Sequence, residues 1–350
     1  MPTPHPFQLT QKPAPKRPEV AHSPQAADGP REDQMPTSFR DITSIPVSPF
    51  GVTFYVSNTT NPTEGQGSPG PTGQGRTPKN PFTTIQRAID EAVSGRGDTI
   101  IIQRGTYTET LTINKAGLTL MGAVPYGYPD HVVVTGITTI TSSNCSFYNL
   151  EFFSNSADAA STIVGTWSAS VNSSWFENCS FASDGTTEPE VGSIVWGGNN
   201  HTYRNCRFID NTFGLVLRSN AVDYVSHLEV LDCEFLENTT ADITTNAIAT
   251  AAGTSANTGA VNGPTVGLDQ GVRNLRMERS FFGAGVTVPT DFINIVGASS
   301  GTMSGNVFGS ATHASGTITI PAGIFYSSNA AEEGLTGAYN AAIGTSGRPD

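Results

Sequence analysis

The fold this sequence predicts is an all-β solenoid of parallel coils, and three observations predict it. The first is a repeat. "FYNLEF" ends at Phe152, "FENCSF" at Phe181, "YRNCRF" at Phe208, "VLDCEF" at Phe235, "MERSFF" at Phe282 and "MSGNVF" at Phe308, at intervals of 29, 27, 27, 47 and 26 residues. A period of this size without helices marks a solenoid. The second is a recurrent bend. "TINKAGLTL", ending at Leu120, fits one step earlier at an interval of 32, and three places before each aligned residue stand Gly117, Asn149, Asn178, Asn205, Asp232, Arg279 and Gly305. All but Arg279 tolerate left-handed backbone. A second set, three places after, reads Asn155, Asp184, Asn211, Asn238 and Gly285. The third is apolar alternation at strand period between these bends, in a chain with only 14% charged residues. One repeat is therefore strand, one-residue bend, strand, looser turn, strand. About eight coils at roughly 4.8 Å each would make a column of roughly 40 Å.

The elements follow in order. Residues 1–50 are rich in proline and carry charges of both signs. Such a segment buries no core and is expected to be disordered or extended, either as a linker or as an arm that orders along a partner. "VTFYVS" at 52–57 reads as a strand. The Gly/Pro segment after it holds Gly65, Gly67 and Gly70 in GxGxxG spacing, but no helix opens there, so it is a surface loop and not a dinucleotide fingerprint. "PFTTIQRAIDEAVSGRGD" places Phe82, Ile85, Ala88, Ile89, Ala92 and Val93 on one helical face. The expected helix, 82–94, starts at an Asn80 cap with Pro81 in the first turn and stops at Gly95 and Gly97. Its place is the N-terminal cap of the column, where strand edges need cover. The 47-residue interval is one repeat plus an insertion of about 20 residues. The solenoid is expected over 51–325, with 326–350 as a C-terminal extension or cap.

Cys179, Cys206 and Cys233 take one inward position in successive coils. Zinc needs ligands that converge on a point, whereas these form a line. Strand spacing also exceeds the usual disulfide separation of Cβ atoms. They read as small buried core residues beside a stack of Phe181, Phe208 and Phe235.

"FYVS…NPFTTIQRAIDEAVSGRGDTIIIQRGTYTETLTI", followed by the "NCxF…N" coils, resembles the N-terminal cap and repeats of the pectate-lyase-like right-handed parallel β-helix superfamily, over roughly residues 52–325. The resemblance implies a right-handed parallel β-helix. It leaves activity open, because the superfamily spans polysaccharide lyases, glycoside hydrolases, epimerases and phage spike and decoration proteins.

In such enzymes, as the resemblance implies, carboxylates with Arg or Lys stand on one outer strand face. A lyase needs a base near the sugar proton and a hydrolase needs two carboxyls. The strands expected to form that face, "STIVGTWS", "GSIVWGG", "GLVLRSN" and "DFINIVG", carry only Arg218 and Asp291. Asp210, Asp223 and Asp242 adjoin turns and read as solvated turn residues. Glu188 and Glu190 fall in a "TTEPE" loop. Trp167 and Trp196 are sugar-stacking platforms or core and interface residues. No catalytic residue, cofactor site or metal site is therefore assigned; the six histidines form no close pair.

A net charge of −12 argues against a basic nucleic-acid surface. No run of 18 apolar residues suggests a membrane span, and the first twenty residues lack a signal-peptide core. The expectation is a non-catalytic structural virion protein: a capsid decoration or spike, homotrimeric, held to a capsid or tail protein through residues 1–50. The alternatives are a polysaccharide lyase or hydrolase and a non-catalytic adhesin that binds a surface glycan.

Overall fold

Short strands separated by left-handed single-residue bends cannot close hydrogen bonds within themselves. They close them sideways, onto the same strand of the next coil. In the computed structural model the chain does this throughout, winding through three parallel sheets of ten, nine and eight strands. The structure describes residues 50–331 except 59–74, 129–130, 155–161, 167–169, 184–190, 220–223, 246–270, 284–290, 296 and 310–316. The arm, residues 1–49, and residues 332–350 lie outside the described part, as do Asn155, Asp184 and Gly285.

One coil shows the plan. Trp175–Glu177 lies in the ten-stranded sheet, Ser180–Ser183 in the nine-stranded sheet and Val191–Trp196 in the eight-stranded sheet. Thr202–Arg204 then returns beside Trp175–Glu177. The sequence repeat is the structural register: Phe152, Phe181, Phe208, Phe235, Phe282 and Phe308 are partners in successive strands. Their rings stack inside the column with centroids 5.6, 4.8, 4.6, 4.9 and 4.8 Å apart. A second stack, Phe147, Phe176 and Tyr203, runs beside it at 4.7 and 4.9 Å. The 47-residue interval is a single coil, because Glu229–Leu231 pairs directly with Leu275–Glu278. The ends add strands that lack the aligned phenylalanine: Thr53–Val56 and Thr99–Ile102 at one end, Ile324–Ser327 and Ala330–Ala331 at the other.

All seven bend residues have positive φ, from 50° at Asn205 and Arg279 to 72° at Gly117. Gly117 belongs to a different corner from the other six, because Leu120 pairs with Phe147 and Val134 with Phe152. Arg279 thus belongs to the set from which its residue type seemed to bar it. Its guanidinium donates to both carboxylate oxygens of Asp232, at 2.7 and 2.8 Å, and Asp232 is the bend residue one coil back. That contact ties this bend to the one before it, against the strain of a left-handed backbone. At the second corner the expectation needs correcting. Asn211 and Asn238 do not bend the chain; Asp210 and Glu237, just before them, do, at 57° and 55°. Asn211 and Asn238 are fully buried instead. Asn211 donates its amide to Asn238 Oδ1 at 3.2 Å, and each also donates to a carbonyl of the preceding coil.

The cysteines are free and buried. Their corner is a polar one. The column of Cys179, Cys206 and Cys233 continues as Ser280, Asn306 and Asn329. Cys206 and Cys233 donate to Phe176 and Tyr203 carbonyls of the preceding coil at 3.5 Å, as Asn306 donates to the Met277 carbonyl at 3.2 Å. Cysteine here is a small group that fits an apolar core and still reaches a carbonyl.

The capping helix α1 is shorter than expected, Ile85–Glu91, and its N-cap is Thr84, not Asn80. Thr84 Oγ1 accepts from the Arg87 amide, and the Glu109 carboxylate accepts from the Ile85 and Gln86 amides at 2.9 Å. A carboxylate from outside the helix thus satisfies two of its orphan donors, which sequence spacing does not show. Ile85, Ala88 and Ile89 are buried, whereas Val93 is 50% exposed beyond the helix end.

Candidate functional site

The outer face of the eight-stranded sheet is the natural place to look for chemistry, and its strands are made from unusually apolar runs. Leu215, Leu217 and Val195 belong to the interior core, so alternation turns Ile194 and Val216 outward. Ile194 and Val216 join Val191, Phe213 and Ala241 in a second apolar cluster, in which every member is buried. Arg218 is 2% exposed, with its guanidinium 4.8 Å from the ring centroid of Trp196, its register partner. That contact is a cation–π pair at the end of two paired strands. Asp291 opens its strand in register with Ala241. This face brings together no carboxylate pair among the described side chains.

The charged residues gather on the other two sheets. On the ten-stranded sheet, one ionic network spans the coil junction that carries the insertion. Arg276 meets Glu229 at 3.1 Å and Glu278 at 2.8 Å. Arg279 meets Glu278 at 3.0 Å and Asp232 at 2.7 Å. Hydrogen bonds from Arg279 hold the Asp232 carboxyl below its ordinary range, and those from Arg276 do the same for Glu278. Both carboxylates are thereby committed to the ionised form and to an arginine.

On the nine-stranded sheet, Glu151, Ser180, Arg207 and Glu234 follow one another in register. Arg207 Nε donates to Glu234 Oε2 at 2.7 Å and its Nη1 to the Tyr126 hydroxyl at 3.3 Å. His131 Nε2 meets the Glu151 carboxylate, its Nδ1 lies 3.0 Å from the Tyr128 carbonyl, and its ring stands edge-on to Tyr126 at 5.1 Å. Tyr126, Tyr128 and His131 come from the connection between Thr119–Gly122 and Val132–Thr135, so Tyr126 and His131 reach Arg207 and Glu151 of later coils. The arrangement has the residue types for acid–base work on a bound chain. Each carboxylate is engaged by a neighbouring cation or imidazole.

The remaining sequence candidates are scattered. Asp210 is a left-handed bend residue whose carbonyl accepts from Ser183 Oγ at 2.8 Å. Trp196 is half-buried. Trp167, Asp223, Glu188 and Glu190 lie outside the described residues. Asp242 reverses its expectation: it is fully buried, not a solvated turn residue. Its row explains why. Gly192, Gly214 and Asp242 occupy successive register positions, and a Cβ added at Gly192 or Gly214 would approach the Asn211 or Asn238 amide to 3.0 or 3.2 Å. Side chains of this row turn into the corner where those amides sit, and Asp242 follows them. Among the described residues no group of three or more His, Cys, Asp or Glu is placed to hold a metal ion. The ionic networks escaped sequence reading because their links between coils join residues far apart, 47 for Glu229 with Arg276 and 27 for Arg207 with Glu234; stacking the repeats in register would have aligned both pairs.

No protein-family model matches the chain, and no curated protein matches it. Among solved structures, a pectin methylesterase from Aspergillus niger is 16% identical, over 83% of this chain and 88% of its own, with a TM-score of 0.48. The pectate lyase Pel9A is 14% identical, over 83% of this chain and 79% of its own, at 0.46. An alginate lyase from Paenibacillus sp. is 12% identical, over 71% of this chain and 92% of its own, at 0.41.

Proposed function

We propose that this chain is a non-catalytic structural protein of a virion, a β-helix decoration or spike that forms a homotrimer and is anchored to a capsid or tail protein through residues 1–50. One observation carries the reading: the outer face of the eight-stranded sheet is apolar and withdrawn from solvent at Val191, Ile194, Phe213, Val216 and Ala241. At these described positions the face presents no acid or base. The arginine-bound carboxylates of the ten-stranded sheet support the same reading, since they act as stitching between coils.

The test compares the full chain with a 51–350 truncation. Both should give the same circular dichroism and the same unfolding transition. Only the full chain should join purified particles from the producing host. Normal incorporation of the truncated chain would overturn the anchoring role.

A second reading, a polysaccharide lyase or hydrolase, is favoured by the row of Glu151, Arg207 and Glu234 on the nine-stranded sheet. It is tested by reducing-end and unsaturated-uronate assays over a polysaccharide panel. Turnover that disappears in Glu234→Gln would establish it and sink the non-catalytic reading.

A further inference from the structure

Within the coil of Glu229–Leu231, Glu234–Leu236 and Ala241–Thr244, one carboxyl has no counter-ion. Asp242 is 0% exposed. Asn238 Nδ2 donates to its Oδ1 at 2.8 Å, and Oδ2 has no hydrogen-bond partner. Asn238 also accepts from Asn211 through its own Oδ1, so Asn211, Asn238 and Asp242 form a three-member ladder inside the corner. The first two rungs are neutral amides and the third is an acid.

The surroundings of Asp242 are neutral. Its register neighbours are Gly214 on one side and Phe292 on the other, and the Phe235 ring edges the same corner. Burial is the main influence on its carboxyl and pushes it well above the ordinary range; the Asn238 hydrogen bond opposes this, and no charged group contributes. On the neighbouring strand the nearest titratable residue by register is Asp291, the partner of Ala241. Of the charges of the same coil, Glu229, Asp232 and Glu234 are bound to Arg276, Arg279 and Arg207 on the outer faces, and Glu237 stands at the bend just before Asn238.

We propose that Asp242 is a proton-operated latch for this coil: uncharged, it rests in its buried corner at the end of the amide ladder and the coil stays closed; ionised, it places an unpaired charge in that corner and loosens the coil that carries the 246–270 insertion. The sign follows from linkage. A carboxyl raised in the folded state contributes stability that is fully present below its unfolded value and is lost as pH rises toward its folded value. Asp232 and Glu278, both lowered, act in the opposite sense, because their contribution is present above their unfolded values and is lost as pH falls. The junction between Glu229–Leu231 and Leu275–Glu278 is thus loosened from the acid side by its outer ion pairs and from the alkaline side by its inner ladder.

The experiment is urea unfolding of the full chain and of Asp242→Asn from pH 5 to pH 9, with hydrogen exchange read by mass spectrometry. Buried His201 and the outer ion pairs titrate alike in both proteins and cancel in the ratio. The folding constant of the parent, divided by that of Asp242→Asn, should fall with rising pH by up to tenfold per unit, since one unit of pKa shift is a factor of ten. Amide protection in 229–245 and 271–282 should fall in the parent before protection in 146–154 does. Asp291→Asn should retain the parent's pH dependence. A ratio that does not change with pH overturns the latch, as does loss of the dependence in Asp291→Asn. If Asp242→Asn does not fold, Asp242→Gly replaces it, matching Gly192 and Gly214 in the same row. Failure of both to fold also overturns the proposal, because a latch must be removable from a column that still closes.

Discussion

At the residue scale, the bends and the ring stack carry separate loads. Asn205 sits at φ 50° with its Nδ2 donating to Asn178 Oδ1 at 3.2 Å. Asn205→Gly should keep the bend, and Asn205→Ala should be about 1–2 kcal/mol less stable than Asn205→Gly in chemical denaturation, because alanine brings a β-carbon into left-handed backbone without the polar side chain by which asparagine tolerates it. Phe208 is stacked on both sides and fully buried. Phe208→Ala should cost about 3–5 kcal/mol, the usual range for emptying a packed aromatic site. The cysteines make a different prediction. Burial pushes the Cys145 thiol up to about 11 and raises Cys206 and Cys233 as well. They should resist alkylation at pH 8 until the column unfolds, and Cys206→Ser should fold, since Ser280 already occupies this corner. Rapid labelling of the native protein would contradict the assignment.

At the scale of elements, coil junctions differ in what holds them. Most are joined by backbone pairing and stacked side chains. The junction between Glu229–Leu231 and Leu275–Glu278 adds the Glu229–Arg276–Glu278–Arg279–Asp232 network over a 47-residue separation. Closing a longer loop costs more chain entropy, though slowly with length. These half-exposed pairs are screened by salt, so Arg276→Ala with Arg279→Ala should lower stability at low ionic strength and change little in molar salt. The measurement is a denaturation midpoint at two salt concentrations; a loss that is equal in both would assign the effect to packing. His201 sets a limit on acid stability elsewhere. Burial pushes its imidazole down to about 4, so its contribution is present above the ordinary histidine value and is lost as pH falls toward 4.

At the scale of the whole molecule, the column behaves as a stack of near-identical coils with nearest-neighbour coupling. An N-terminal end sealed by α1 should unfold later than the junction at the insertion, where local closure depends on ionisable groups. Hydrogen exchange along the column would order the coils, and uniform protection would argue for a single cooperative unit. Much of this architecture was legible beforehand. The Phe152-to-Phe308 alignment became the strand register, and all seven positions of the first set of bends are left-handed, with Arg279 included against its type, whereas Asn211 and Asn238 of the second set are not. The cap was found but misplaced at its start, because Glu109 reaches the helix from another element. The site was less legible. Arg218 turned out to be buried against Trp196, and Asp242 turned out to lie inside.

The sequence by itself determined the period, the bends and the inward stack. These depend on local turn chemistry and on alternation within a strand, which each repeat displays in full. Only the tertiary structure decided that the cysteine corner is shared with serine and asparagine, that the carboxylates of the ten-stranded sheet are bound by arginines, that the eight-stranded sheet hides its outer apolar face, and that Asp242 is buried without a counter-ion. Each of those depends on what lies one coil away, 26 to 47 residues along the chain, where lateral packing and desolvation act and local sequence pattern does not.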